Sequence, residues 1–222
     1  MRIRVKNDLQ LSQVPPSLKG VITKRLTMDN PKYTEAMRMG RYLGEIPPQL
    51  HFFDMLSNGS IAIPRGCARQ ICRLAQKRRV HYFLEDRRRH LSEIDFNFVG
   101  KLRPFQQKAV GNMLKHDFGT LSAPTGAGKT VMALAIIAAR KQPTMVIVHT
   151  KELLHQWIDR VVSFLGIPAK EVGIIGAGKK RVGNRITVGM VQTLCKMADE
   201  VSDQFGHLIV DECHRTPSRT FT

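Results

Sequence analysis

Hydrophobic and polar positions change rhythm near residue 100. Before it, "RIRVK" alternates as a strand does, "SLKGVITKRLT" and "PKYTEAMRMG" read as short helices, and "QLHFFDM" and "IAIP" read as two strands around the Asn-Gly turn in "LSNGS". A helix "RGCARQICRLAQKRR" and a strand "VHYFLED" follow. Together they predict a small α+β module over residues 1–95, joined to the rest near "LSEIDFNFVGKLRPFQ".

From Leu102 onward, strand-like and helix-like stretches alternate, as in a parallel sheet flanked by helices. "FGTLSA", "TMVIVHT", "EVGIIGA", "RITVGMV" and "HLIVDE" are the expected strands, and "KTVMALAIIAARK" and "KELLHQWIDRVVSFLG" the expected helices. The nearly unbroken apolar runs "MVIVH" and "HLIVD" predict strands covered on both faces. Residues 96–222 are therefore expected to form an α/β lobe.

One turn in that lobe carries chemistry. "APTGAGKT", Ala123 to Thr130, joins an expected strand to a helix, so its backbone N–H groups and the helix N-terminus converge on phosphate oxygens. Pro124, Thr125, Gly126, Ala127 and Gly128 would form the cradle, Lys129 would hold the β- and γ-phosphates, and Thr130 a Mg²⁺ ion. "HLIVDECHR" supplies the carboxylates that such a loop needs: Asp211 for the Mg²⁺ and Glu212 to polarise the attacking water. A second Gly-x-Gly-Lys in "IIGAGKKRVGNR" lacks the following Ser or Thr and leads into another strand; Lys179, Lys180 and Arg181 read as a basic hairpin tip, solvated or touching a nucleic-acid backbone.

Charge then selects the partner. A formal net charge of +17, spread over both halves, favours a polyanion such as nucleic acid. In "RGCARQICRLAQKRR", Cys67, Ile71, Leu74 and Ala75 share one helix face, whereas Arg65, Arg69 and Arg73 lie largely on another, which suits a phosphate backbone or a solvated side. Cys67, Cys72, Cys195 and Cys213 lack metal-ligand spacing and are expected to be reduced thiols. A polar N-terminus and the lack of a long apolar run predict no membrane segment, and the reduced thiols a cytoplasmic protein.

Taken together, "APTGAGKT" and the quartet Asp211-Glu212-Cys213-His214 resemble the DExH-type ATPases of helicase superfamily 2. "KLRPFQQKAV" looks like the segment whose glutamine reads adenine in that family, a role that falls to Gln106; "VHTKELLHQW" and "ITVGMVQTL" look like its motifs Ia and Ib. The nearest branch is the XPB- and UvsW-like one. The resemblance implies a RecA-like fold, ATP with Mg²⁺, and DNA rather than RNA, with Thr150, Gln192 and Thr193 on the tracking strand and His214 relaying between the nucleotide and nucleic-acid sites. It also implies a second RecA-like lobe, on the remainder of a longer chain or on another chain, whose arginines stabilise the transferred phosphoryl group. These 222 residues by themselves are then expected to bind nucleotide and hydrolyse it poorly. A restriction or defence translocase, an RNA-directed DExH ATPase and a non-catalytic nucleic-acid-binding protein are the alternative functions.

Overall fold

The computed structural model describes residues 1–215. They divide into two units, Met1–Arg89 and a second beginning at His90.

In the first unit the alternation seen in the sequence becomes a hairpin. Strands β1 (Arg2–Val5) and β2 (Asp8–Ser12) pair antiparallel, with Ile3, Val5, Leu9 and Leu11 buried and the polar residues between them at least partly exposed. The remaining elements are α1 (Pro16–Arg25), β3 (Thr27–Asp29), α2 (Pro31–Arg38), β4 (Gln49–His51), β5 (Asp54–Met55), β6 (Ile61–Pro64), α3 (Ala68–Lys77) and β7 (Phe83–Asp86). The sheet runs β5-β6-β2-β1-β7, and Leu18 and Ile22 of α1 join Ile71 and Leu74 of α3 over its apolar face. Asn30 caps α2 by accepting from the Lys32 N–H, and its amide donates to Pro47 O at 2.8 Å, so this buried side chain fixes both ends of a loop.

"QLHFFDM" is two strands rather than one. Its first part, β4, pairs with β3, while β5 pairs with β6 in the main sheet. The break falls where Phe52 donates its N–H to Leu26 O and Phe53 packs into the core; no single straight strand serves both neighbours.

The second unit contains α4 (Pro104–Leu114), α5 (Lys129–Arg140), β8 (Thr144–Val148), α6 (Lys151–Leu165), β9 (Gly173–Gly176), β10 (Lys179–Arg181), β11 (Ile186–Met190), α7 (Val191–Leu194), α8 (Ala198–Val201) and β12 (His207–Val210). Its sheet order is β10-β9-β11-β8-β12, parallel except for the β9–β10 hairpin. Leu134 and Ile137 of α5 and Leu154, Trp157 and Val161 of α6 pack with Val146, Val148, Ile174, Ile186 and Val188 of the sheet. This is the α/β lobe that the alternation predicts.

Three expectations need correction. The unit begins at His90, ahead of the expected residue 96, because Gln142 exchanges two hydrogen bonds with the Leu91 backbone and Lys141 pairs with Asp95 at 3.1 Å. "FGTLSA" forms no strand: Leu121 and Ala123 pack instead with Val110 of α4 and Met132 and Ile136 of α5. And "HLIVD" is not covered on both faces. β12 is the sheet edge among the described residues, and Leu208 is 51% exposed. An apolar run marks what a strand can bury, not which neighbours it has.

His207 on β12 couples this edge to pH. Desolvation first, and then the Arg140 charge, push its pKa down from 6.5 to about 4, with Thr144 Oγ1 lying 3.2 Å from its Nδ1. Between those two values the unfolded chain binds a proton that the folded one does not, so stability is full above pH 6.5 and falls as pH drops toward 4. We expect a loss of about 2 kcal/mol between pH 7.5 and pH 5. Thermal melts of wild type and His207→Gln at both pH values test this; an unchanged pH difference in the variant would assign the effect elsewhere. No helix among the described residues is long and apolar enough to cross a membrane.

Candidate functional site

Chain direction brings the chemistry-bearing residues to one edge of the second sheet. The helix α5 enters β8 through only three residues, so its N-terminus points back toward the carboxyl end of β8. There α6 begins, just after His149 and Thr150; β11 ends there in α7, and β12 ends there at Asp211. The carboxyl edge of a parallel sheet is where such folds bind ligands.

The phosphate cradle is shaped by backbone conformation. Gly126 and Gly128 both have φ near +80°, a region costly for residues with a Cβ, and Gly128 is the N-cap of α5. A Cβ at Gly126 would meet nothing, which leaves that side of the turn open, whereas one at Gly128 would lie 2.6 Å from Gln106 Nε2. Lys129 opens the helix and donates from Nζ to Ala123 O at 3.1 Å and Pro124 O at 3.5 Å, arching its ammonium over the turn. Pro124 and Thr125 are exposed, Ala127 and Thr130 half-buried.

Gln106 is buried, and both ends of its amide are engaged: Oε1 accepts from the Arg103 N–H at 2.8 Å, and Nε2 donates to Ala127 O at 2.8 Å. The structure therefore places Gln106 as a clamp between α4 and the phosphate turn. Contact with a base would require exchange of one of those bonds.

Asp211 continues the β12 ladder by donating its N–H to Ile147 O. Its Oδ1 accepts from the Glu212 N–H at 3.0 Å and its Oδ2 from the Trp157 indole Nε1–H at 2.8 Å. Glu212 has φ +51°, uncommon for a residue with a side chain, and its Oε2 lies 3.1 Å from His214 Nδ1. That last contact joins the expected general base to the expected relay residue. Trp157 lies in the core, and its bond to Asp211 is not among the sequence expectations. The signal was present, since a buried indole N–H needs an acceptor.

The donor set fits Mg²⁺. Thr130 and Asp211 offer hard oxygen, and among the described residues no group of three or more His, Cys, Asp or Glu forms a protein cage for a metal. Mg²⁺ is ordinarily held by one or two such groups together with nucleotide phosphates and water.

Along the same edge, Thr150 caps α6 by accepting from the Leu153 N–H, and exposed Gln192 donates to His149 O at 3.2 Å. Glu152, in the first turn, has its carboxyl held below the usual range, first by its own backbone N–H and then by the Thr150 hydroxyl. Thr150, Gln192 and half-buried Thr193 thus sit at neighbouring strand ends, as β8 and β11 are adjacent.

The basic face of the first unit is a separate surface. Arg69, Arg73, Lys77 and Arg78 are exposed on or just after α3, and none forms a salt bridge among the described residues. Arg65 is half-buried, and burial followed by the nearby Arg88 charge lowers its pKa. In "EDRRRH" much of the charge is spent internally, Arg87 on Glu85 and Arg88 on Asp86.

A Gly-rich turn opening a helix and an Asp-Glu pair after a strand, both at the carboxyl end of one parallel sheet, are the elements from which P-loop lobes are built. Its family follows from comparison: the model described as type III restriction enzyme, res subunit (ResIII) matches residues 100–222, more than half the chain, and the chain belongs to that family.

Two curated relatives are similar. The DNA 3'-5' translocase XPB2 of Sulfurisphaera tokodaii is 37% identical over 122 residues, covering 55% of this chain and 27% of the relative. The L396 protein of Acanthamoeba polyphaga mimivirus, named as an ATP-dependent RNA helicase, is 36% identical over 134 residues, covering 58% and 25%. The chain spans about a quarter of the length of these relatives. Among solved structures, the UvsW helicase of bacteriophage T4 has the same fold, with a TM-score of 0.69 over 99% of this chain and 86% of that one, at 19% identity.

Proposed function

We propose that this chain is the nucleic-acid-gripping module and first RecA-like lobe of an ATP-dependent DNA helicase or duplex translocase. The observation that carries it is the convergence, at one sheet edge, of the phosphate cradle, the Asp211-Glu212 pair and the strand ends bearing Thr150 and Gln192. Nucleotide hydrolysis and strand contact at the ends of adjacent strands give this lobe its share of a motor whose movement along the strand is completed by a second lobe.

Within the site, the turn from Pro124 to Gly128 and the first N–H groups of α5 receive the phosphates. Lys129 exchanges its bonds to the Ala123 and Pro124 carbonyls for phosphate oxygens, which carry full negative charge and bind an ammonium more strongly. Thr130 and Asp211 would hold a Mg²⁺ ion, which when bound would supply neutralisation of the developing charge. Glu212 orients the attacking water and accepts its proton, and His214 at 3.1 Å holds the Glu212 carboxylate. A second lobe, elsewhere in a longer chain or on another chain, brings arginines worth about 10³ to 10⁵ in rate, so these residues alone bind nucleotide and turn it over slowly.

DNA is the proposed polymer, supported by XPB2, a relative named for acting on it. The similarity to L396 supports an RNA-directed reading. The experiment is competition of duplex DNA against duplex RNA for the chain, with the salt series run on each. DNA preference and an affinity falling about 10³-fold between 50 and 200 mM salt are expected for roughly six phosphate contacts. Arg69→Ala with Arg73→Ala should weaken binding uniformly across sequences and flatten the salt slope. Equal or tighter RNA binding would move the protein to the second reading, and an unchanged slope in the double variant would remove α3 from the interface.

A further inference from the structure

The bond between Trp157 and Asp211 ties the middle of α6 to the end of β12. Trp157 is 2% exposed, and its ring lies among Leu154, Val161 and the sheet. Bulk alone would satisfy that place, and phenylalanine or leucine would supply it. An indole brings an N–H that must be paired when buried, and its partner is the expected Mg²⁺ ligand.

Two donors set the attitude of this carboxylate. The Glu212 N–H takes Oδ1 and the Trp157 N–H takes Oδ2, at 3.0 and 2.8 Å, so rotation of the group breaks one bond or the other. The two differ in what they report. The Glu212 bond is local, between neighbours in sequence. The Trp157 bond comes from 54 residues away, on the helix whose first residue follows Thr150. Each oxygen retains a lone pair, so a metal or its water can bind without either bond breaking.

We propose that Trp157 is a positioning residue for Asp211: its indole N–H fixes the carboxylate in the orientation that receives Mg²⁺, and α6 thereby sets the affinity of the nucleotide site for the ion. The inference rests on the nucleotide-site reading above. Outer hydrogen bonds to metal-binding groups commonly govern affinity by 10- to 100-fold.

The sequence supplies a clean reporter, because Trp157 is the only tryptophan of the chain. Its indole N–H gives a single ¹H–¹⁵N cross-peak. That peak is expected to move in Asp211→Ala, and in wild type to move on adding ADP with Mg²⁺ while responding far less to ADP with EDTA. In Trp157→Phe, which keeps the ring and loses the donor, the Mg²⁺ midpoint for binding a fluorescent N-methylanthraniloyl ADP should rise about tenfold, with affinity in EDTA unchanged. A purely packing role would shift melting temperature and leave that midpoint alone.

An indole peak that ignores Asp211→Ala, or a midpoint within twofold of wild type in Trp157→Phe, overturns the proposal. Should Trp157→Phe fail to fold, the Asp211→Ala spectrum decides, since the indole is then intact. Failure of wild type to bind ADP with Mg²⁺ would refute the nucleotide-site reading instead, and the indole response to Asp211→Ala would still reveal whether the bond exists.

Discussion

Lys129→Ala is expected to weaken ATP binding by about 10- to 100-fold and to lower any hydrolysis by about 10² to 10³, while leaving the melting temperature of the lobe within about 2 °C of wild type. The asymmetry follows from what the ammonium touches. In this structure it donates to two carbonyls of its own turn, Ala123 O in a part-buried bond and Pro124 O in an exposed one. Water replaces those bonds at small cost. Nothing replaces a positive charge over the β- and γ-phosphates. Isothermal titration with ATP and Mg²⁺, beside a melting curve, separates the two effects; tight ATP binding by the variant would mean that the nucleotide lies elsewhere.

Gly173→Ala is expected to be the most damaging small substitution in the lobe, by about 3 kcal/mol, or about 10 °C in melting temperature. A Cβ there would lie 2.2 Å from the Gly183 backbone N and 2.3 Å from Thr187 Oγ1. Those two atoms already form a hydrogen bond at 2.9 Å, and Thr187 is fully buried, so neither has anywhere to move. The reciprocal holds at Gly183, where a Cβ would meet Gly173 N at 2.5 Å and two carbonyls. The first unit has its own core, so its transition should stay in place while that of the lobe falls. A shift below about 3 °C would show that β9 and its neighbour can separate.

The parts of this fold that were legible are those governed by local rules. The period of two in "RIRV" buries Ile3 and Val5 as expected, and "KELLHQWIDRVVSFLG" forms the expected helix, α6, with Leu154, Trp157 and Val161 against the sheet. The Gly-rich turn was legible as the start of a helix, which opens at Lys129 with Gly128 as its cap. What escaped depended on neighbours distant in sequence. "FGTLSA" has strand composition, yet its side chains settle between α4 and α5. The bonds by which Gln106 joins α4 to the Gly-rich turn, to Arg103 and to Ala127, depend on how the two segments meet, which no local pattern states. The bond from Trp157 to Asp211 spans 54 residues and no local pattern announces it.

The position of β12 has a consequence for how the lobe behaves in company. Among the described residues it is hydrogen-bonded on one side only, to β8, and Leu208 stands half exposed beside that bare edge. A row of unsatisfied backbone groups next to an apolar side chain is an adhesive strip, ready to template the next strand that arrives. Whatever polypeptide completes the sheet there also passes beside Asp211, at the end of the same strand. Growth of the sheet there would also cover the end of the strand that carries Asp211, and a bare β12 edge leaves the lobe prone to clump.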